Sequence, residues 1–413
     1  MSKAFFAAAL SLACLVSAPA MAEVGKVYPS EKSVMTDAVT GRQLILLTNG
    51  TVSDAKMYPT DQQWAFDGKH IIFRSGSRSG DGKGQVFAID EASGTVVQLT
   101  DGPGVYLTSI MVSRLANEVY YLRRGADNRL SLSRIALTPL LKDAEAGKVS
   151  PKGYETLIAT LPDGFILAGG FTLDADGTTA YVGFDQVVAP PRPQGQPVPQ
   201  VPGGLLAVDL KTGQTRTVVK TNFRVGHVQA NPFKPGEILY CNETGGDAPQ
   251  RMWIVNGDGS GNRPVFVEAA TDWVTHEQFA DADHVIFDLM GHTAKLRERP
   301  TGIMVVSLRD GTVENLGQVP VKSVVGSDRS GPNSFWHNGV TYDGRFAAGD
   351  DFDGDVWLID RKTGAHTLLT TGHVMKPDHA HPSFSPDGSR ILIQSGLLTA
   401  GKKLSLIIVP LQP

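Results

Sequence analysis

The sequence predicts an all-β fold, a seven-bladed β-propeller whose ring is closed by an N-terminal strand that completes the last blade. Three observations lead to this prediction. Asp-Gly turns recur before short apolar runs, a second kind of Gly turn recurs after them, and glycine (45) and proline (25) are frequent in the chain of 413 residues. Repeats of about 40 to 60 residues with four short antiparallel strands are typical of propeller blades.

The N-terminus precedes the fold. Lys3 is followed by an apolar run, and Ala20-Met21-Ala22 fits an A-x-A cleavage site, so residues 1–22 are interpreted as a secretory signal peptide. A buried N-terminal helix is the alternative interpretation. The signal predicts a periplasmic or secreted protein with a single propeller domain over residues 23–413. Cys241 is then the one cysteine of the mature chain; it lies in an apolar run and is interpreted as a buried thiol.

The repeat has two recognisable halves. Seven first halves start near residues 58, 111, 169, 228, 277, 338 and 381, and six or eight blades remain open because the second and fourth copies are degenerate. The last copy ends at residues 404–409 without an outer strand, which residues 42–48 are predicted to supply, hiding two sheet edges. Clear first halves carry Asp67-Gly68, Asp176-Gly177, Asp343-Gly344 and Asp387-Gly388, and clear second halves carry Gly94, Gly213 and Gly364.

Two segments fit no blade. Residues 138–153 are predicted to form a short helix or a loop, and residues 187–204 are rich in proline and predicted to be extended. The net charge of −4 argues against a nucleic-acid partner. No interior apolar run reaches the roughly 18 residues of a membrane span.

Histidines occupy equivalent places in four consecutive repeats. His337 and His381 each lie six residues before an Asp-Gly turn, His276 has the same spacing to an aromatic residue as His381, and His227 precedes the corresponding strand of its repeat. Innermost strands line the channel of a propeller, so these side chains are expected to converge. His379, two residues from His381, points to the same side of an extended segment. A shared polar or metal site follows, because imidazoles bind divalent transition metals.

Three parts of the sequence resemble oligogalacturonate lyases over nearly the whole mature chain. The histidine-bearing parts are the specific ones, whereas the Asp-Gly and Thr-Gly turns also occur in TolB-like propellers. The parts are Tyr58-Pro59-Thr60 with Phe73-Arg74-Ser75 and Gln98-Leu99-Thr100; Gly226-His227 through Asn231-Pro232-Phe233, Cys241-Asn242-Glu243 and Arg251-Met252-Trp253-Ile254 to Thr275-His276-Glu277; and His379-Ala380-His381-Pro382-Ser383-Phe384.

The resemblance implies a seven-bladed propeller that cleaves short pectic oligomers by β-elimination with a divalent metal, typically Mn²⁺. It implies metal ligands at His276, His379 and His381 and a general base at His227. The family also places a glutamine ligand three residues before the closing histidine pair, where this chain has Lys376.

The resemblance also implies a catalytic-site arginine. Arg224 and Arg251 are the nearest candidates for the catalytic-site arginine, which would pair with a substrate carboxylate through its planar fork; a structural salt bridge is the alternative for Arg251. Trp336 and His337 are predicted to bind substrate at the channel mouth, whereas Trp253 is expected in the core.

The predicted function is therefore a metal-dependent lyase of acidic, uronic-acid oligosaccharides, with oligogalacturonides as the first substrate. One alternative is a lyase of the same fold for another uronate, such as ulvan. Another is a non-catalytic, TolB-like periplasmic binding propeller, against which the converging histidines argue.

Overall fold

The fold is a ring of seven antiparallel sheets, so the predicted seven-bladed β-propeller is confirmed. The computed structural model describes residues 24–150, 153–192, 198–320 and 333–411. The predicted signal peptide, residues 1–22, lies outside the described residues. None of the helices in these ranges is long and apolar enough to cross a membrane.

In blades 2 to 6 the strands follow one another along the chain from the channel outward, whereas blades 1 and 7 also take outer strands from the N-terminal part of the chain. From the channel outward, the first four blades consist of the following strands. Blade 1 has Asp54–Lys56, His70–Ser75, Gln85–Asp90, Val96–Gln98 and, outermost, Val27–Tyr28; blade 2 has Val105–Val112, Glu118–Arg124, Leu130–Ala136 and Glu155–Thr160; blade 3 has Ile166–Leu173, Thr179–Asp185, Gly203–Asp209 and Thr215–Thr221; blade 4 has Val225–Ala230, Glu237–Asn242, Met252–Asn256 and Arg263–Pro264.

The last three blades carry the remaining strands. Blade 5 has Val274–Phe279, His284–Leu289, Gly302–Ser307 and Val313–Asn315; blade 6 has Phe335–Val340, Phe346–Asp351, Val356–Asp360 and Ala365–Thr370; blade 7 has Ser383–Phe384, Arg390–Ser395, Ser405–Pro410, Gln43–Leu46 and Ser33–Thr36. In blade 7 the N-terminal strand pairs with the C-terminal one, Ile45 opposite Ile408 and Leu46 opposite Ile407. Strands from the N-terminal part of the chain, Ser33–Thr36 and Gln43–Leu46, therefore share one sheet with the last described strand, Ser405–Pro410.

The core lies between blades. Successive residues of a strand face opposite sides of its sheet, and in the second strand of blade 4 Ile238 and Tyr240 pack toward blade 3 while Leu239 packs toward blade 5. The described residues contain seven such apolar clusters, one between each pair of neighbouring blades. The channel is consequently the one place where the innermost strands can present polar side chains to one another.

The segments outside the blades pack on this frame. The segment predicted as a helix or a loop begins with the α-helix Leu137–Glu145, whose Leu137 and Leu140 join the cluster between blades 1 and 2. Two short 3-10 helices, Lys295–Arg297 and Leu397–Thr399, complete the helical elements of the described ranges.

Candidate active site and metal centre

Backbone distortions turn three channel histidines out of regular strand geometry. The φ angles of His227, His276 and His381 are 45°, 54° and 53°, in the left-handed region that non-glycine residues rarely adopt. Such a conformation costs about 1–3 kcal/mol and is concentrated at functional sites. At His227 and His276 the distortion accompanies a β-bulge, which re-aims side chains, and a further bulge precedes His337. The pairing of the innermost strand with its neighbour slips between Gly226 and Gln229, Thr275 and Gln278, and Phe335 and His337.

Four imidazoles meet at the centre of the ring. The ring centroid of His337 lies 4.1 Å from that of His276, 3.9 Å from His381 and 5.1 Å from His379. Trp336 stacks on His379, with centroids 5.3 Å apart and an interplanar angle of 21°. Blades 5 and 6 and the segment before blade 7 thus bring together three histidines predicted as metal ligands and the histidine and tryptophan predicted to bind substrate.

A buried carboxylate joins this histidine cluster. Asp350, at the end of the second strand of blade 6, is fully buried. Its oxygens accept the backbone N–H of His337 at 2.8 Å and that of His381 at 3.0 Å. Nδ1 of His337 lies 3.1 Å from Oδ1 of Asp350. Potential ligand atoms of His337, Asp350 and His379 all lie within 4.8 Å of one another.

The donor set fits a divalent transition metal. Burial lowers the pKa of His276, His337 and His381 well below the usual value, with neighbouring histidines adding to the effect. Neutral imidazole is the form that binds a metal. Nδ1 of His276 is buried and makes no hydrogen bond to the described residues, an arrangement that a cation would satisfy.

His227 lies beside the cluster, between two glutamates. Its Nε2 is 3.7 Å from Oε2 of Glu243, and its Nδ1 is 3.7 Å from Oε1 of Glu277. Glu277 is fully buried, and its other oxygen accepts from Nε of Arg251 at 2.9 Å. Arg251 is only 3% exposed and also lies 4.0 Å from Glu243.

Burial keeps the imidazole of His227 neutral, and the neighbouring charges keep the carboxylate of Glu277 ionised. Burial lowers the pKa of His227, although the charge of Glu277 opposes the shift. Burial raises the pKa of Glu277, but Arg251 and His227 outweigh it and the net pKa is lowered. Burial lowers the pKa of Arg251. Neighbouring groups, of which Cys241 has the largest effect and Glu277 the next, outweigh burial, so the net pKa is raised. A neutral imidazole with an ionised glutamate behind it is suited to accept a proton.

A cavity of about 580 Å³ opens onto His227, within the range of small-molecule sites. Arg224 and Arg74 line it, and Nη2 of Arg224 lies 3.4 Å from Asp185. The proline-rich segment borders the same cavity through Pro190, Arg192, Val198 and Pro199. The cavity is therefore lined by several arginines as well as by the candidate base.

The structure also brings in residues that the sequence did not assign. Tyr58 lies between the base and the metal cluster, its ring 5.1 Å from His227 and 5.6 Å from His381. Gln394, on the second strand of blade 7, approaches Nδ1 of His381 at 3.3 Å and donates to Asp378 at 3.0 Å. Lys376, where a glutamine is expected, is exposed.

Signals for these residues were present in the sequence but were not specific. Tyr58 belongs to the resembling segment Tyr58-Pro59-Thr60, and Glu277 directly follows His276. Asp350 begins a pair of aspartates that ends an otherwise apolar strand, Phe346–Asp351. Cys241 is buried as predicted, and Trp253 packs against the apolar cluster between blades 3 and 4.

Comparison with known proteins gives a consistent result. Residues 196–411 match a family model described as oligogalacturonate lyase. An oligogalacturonate lyase of Dickeya dadantii is 25% identical over 393 residues, covering 87% of this chain and 91% of the relative. An oligogalacturonide lyase of Pectobacterium atrosepticum is 25% identical over 406 residues, covering 90% and 94%.

Solved structures agree on the fold. An oligogalacturonate lyase in complex with manganese has a TM-score of 0.74 and 22% identity, covering 94% of this chain and 98% of that structure. An oligogalacturonate lyase from Vibrio parahaemolyticus has a TM-score of 0.75 and 19% identity, covering 94% and 98%.

Proposed function

Because the chain belongs to the oligogalacturonate lyase family, we propose that it cleaves oligogalacturonides by β-elimination, with His227 as the base and a divalent metal, Mn²⁺, beside it. The protein is a lyase of uronic-acid oligosaccharides. The observation that carries the assignment of the base is the position of His227, a half-buried neutral imidazole on the cavity wall with Glu243 and Glu277 3.7 Å from its two ring nitrogens.

The reaction removes the proton at C5 of a uronic acid, forms the C4=C5 double bond and breaks the C4–O4 bond, and the departing O4 takes up a proton from water to leave as a hydroxyl. That proton is weakly acidic because the resulting dianion is poorly stabilised. His276, His379 and His381 would hold a divalent metal, which would supply charge neutralisation for the substrate carboxylate. His227 takes the C5 proton, and the negative charge of Glu277 stabilises the imidazolium that forms.

The two candidate arginines have different surroundings. Arg224 lines the cavity, so we assign it to a substrate carboxylate, which its planar fork can bind. Arg251 is buried against Glu277 and Glu243. We therefore assign Arg251 to holding the glutamate that faces the base. Trp336 stacks on His379, which favours a role in ordering that ligand.

A panel of substrates tests this proposal. Galacturonide oligomers of defined length, ulvan and other uronates would each be incubated with the Mn²⁺-loaded protein, and the ultraviolet absorbance of the 4,5-unsaturated product would be followed. Turnover of galacturonides supports the proposal. Turnover of a different uronate alone would keep the mechanism and replace the substrate, and no turnover of any uronate would reject the mechanism.

Export to the periplasm or the medium is also proposed, on the strength of residues 1–22 of the sequence. N-terminal sequencing of the protein recovered from separated cell fractions tests it. A start at residue 23 in an exported fraction supports the proposal, whereas an intact N-terminus in the cytoplasm contradicts it.

A further inference from the structure

We propose that His337 is a metal ligand of this chain, taking the place of the glutamine expected at position 376, and that Asp350 positions it. The inference deepens the proposed function and rests on its metal site. It concerns residues that the resemblance does not include among the metal ligands.

Position 376 has no suitable donor. The residue there is a lysine, whose ammonium group has no lone pair to offer a metal. Its side chain is exposed, whereas His381 is only 6% exposed. A metal held by His276, His379 and His381 therefore needs a further ligand from another part of the chain.

His337 has the position that such a ligand requires. Its ring lies within 5.1 Å of all three predicted ligand rings, measured between centroids. It is 3% exposed, and its potential ligand atom lies within 4.8 Å of that of His379. A metal among the three other histidines would be in reach of His337, because the ring of His337 contacts each of the other three rings.

Asp350 fixes which nitrogen of His337 is available. Oδ1 of Asp350 accepts from the backbone N–H of His337 at 2.8 Å and lies 3.1 Å from Nδ1. When Nδ1 carries the proton for this contact, the lone pair of the ring is on Nε2. Carboxylate–histidine–metal arrangements of this kind set the tautomer and the orientation of the ligand.

The carboxylate of Asp350 also contacts the segment that carries His381. Oδ2 of Asp350 accepts the backbone N–H of His381 at 3.0 Å, so one buried side chain orders ligands from blade 6 and from the segment before blade 7. The negative charge of Asp350 also lies beside the proposed metal site. A buried charge without a counter-charge is costly, and a divalent cation would compensate it. A histidine bound to Asp350 and to a metal has no free nitrogen for substrate, so this inference replaces the substrate-binding role predicted for His337.

Titration of the metal-free protein with Mn²⁺ tests the inference, with unbound Mn²⁺ measured by its electron paramagnetic resonance signal. Asp350→Asn is expected to weaken Mn²⁺ binding by about 10–100-fold, the usual effect of removing such a partner. His337→Ala is expected to weaken it more. Lys376→Ala is expected to bind Mn²⁺ as the wild type does.

His373→Ala is the matched control. His373 is also buried, at 2% exposure, and it contacts Thr370 and Ser395 rather than the cluster. The His373→Ala variant is expected to lose a comparable amount of stability and to keep the wild-type Mn²⁺ affinity. Circular dichroism of each variant before titration verifies that the protein tested is folded.

Wild-type affinity in a folded His337→Ala protein, or a tenfold loss in Lys376→Ala, would overturn the inference. Uronate turnover assayed on the same samples separates it from the proposed function. A wild-type protein whose Mn²⁺ binding depends on His337 but which cleaves no uronate supports the inference and rejects the function. Uronate turnover together with Mn²⁺ binding that is independent of His337 supports the function and rejects the inference.

Discussion

Replacing Glu277 by glutamine removes the buried negative charge that faces both His227 and Arg251. The two groups lie on opposite oxygens of the carboxylate, His227 Nδ1 at 3.7 Å and Arg251 Nε at 2.9 Å. Glu277→Gln keeps the shape and removes the charge. Arg251, which is 3% exposed, is left with Glu243 at 4.0 Å as its nearest remaining counter-charge in the described structure.

The expected effects on stability and rate are both measurable. Removing one partner of a buried ion pair costs about 3–5 kcal/mol, and the lower end applies because glutamine still accepts a hydrogen bond from Arg251. For catalysis, full charges about 4 Å apart interact by about 4 kcal/mol at an effective dielectric constant near 20. A proton half transferred to His227 would lose about 2 kcal/mol of that stabilisation, or about 30-fold in kcat.

Glu268→Gln is the control. Glu268 accepts a hydrogen bond from the backbone N–H of Arg251, and burial raises its pKa to about 8. It is therefore largely protonated near pH 7, and an amide replaces it without removing a charge. The Glu268→Gln protein should keep the wild-type kcat at pH 7 and should be no less stable than the wild type in urea.

The assay compares kcat at saturating oligogalacturonide and Mn²⁺, and the free energy of unfolding in urea, for the three proteins. Glu277→Gln should lose both activity and stability. The reasoning is refuted when Glu277→Gln retains wild-type kcat and stability, or when Glu268→Gln loses as much as Glu277→Gln.

Three further outcomes are expected. Burial lowers the pKa of His227 below 6.5, so at saturating Mn²⁺ the kcat/KM should persist through pH 6.5 and fall only at lower pH; a loss centred above pH 6.5 contradicts this. Arg224→Ala should raise KM more than it lowers kcat, because Arg224 lines the cavity without contacting the base; unchanged KM argues against a substrate contact. Glu268 binds a proton in the folded state up to about pH 8 but in the unfolded chain only to about 4.5, so its stabilising contribution is present at low pH and is lost as pH rises through that window. Urea unfolding at several pH values should show a weaker decline for Glu268→Gln than for the wild type, and equal slopes would exclude this contribution.

The fold and the meeting of the histidines could be predicted because both follow from repetition. Turns such as Asp343-Gly344 and Asp387-Gly388 fix the register of each blade, and register determines which residues reach the channel. His337 and His381, at equal distances from those turns, indeed lie with ring centroids 3.9 Å apart. The convergence of these two rings follows from the register of the repeats and does not depend on how individual side chains pack.

The supporting residues could not be predicted in the same way. Asp350 and Glu277 are single acidic residues in strands, and alternation alone places such a residue on either face. The left-handed φ of His276 depends on a bulge in strand pairing, which composition does not indicate. Gln394 approaches His381 from a neighbouring strand, whereas the glutamine that the resemblance implies would lie just before the histidine pair.

One measurement tests the central claim most directly: the rate of 4,5-unsaturated product formation from short oligogalacturonides by the wild type and His227→Ala, each with Mn²⁺ and after chelation. The account predicts turnover by the Mn²⁺-loaded wild type, loss on chelation that Mn²⁺ reverses, and loss in His227→Ala although that variant still binds Mn²⁺. Wild-type turnover in His227→Ala would contradict the assignment of the base. Full turnover by a protein shown to be metal-free would contradict the metal centre.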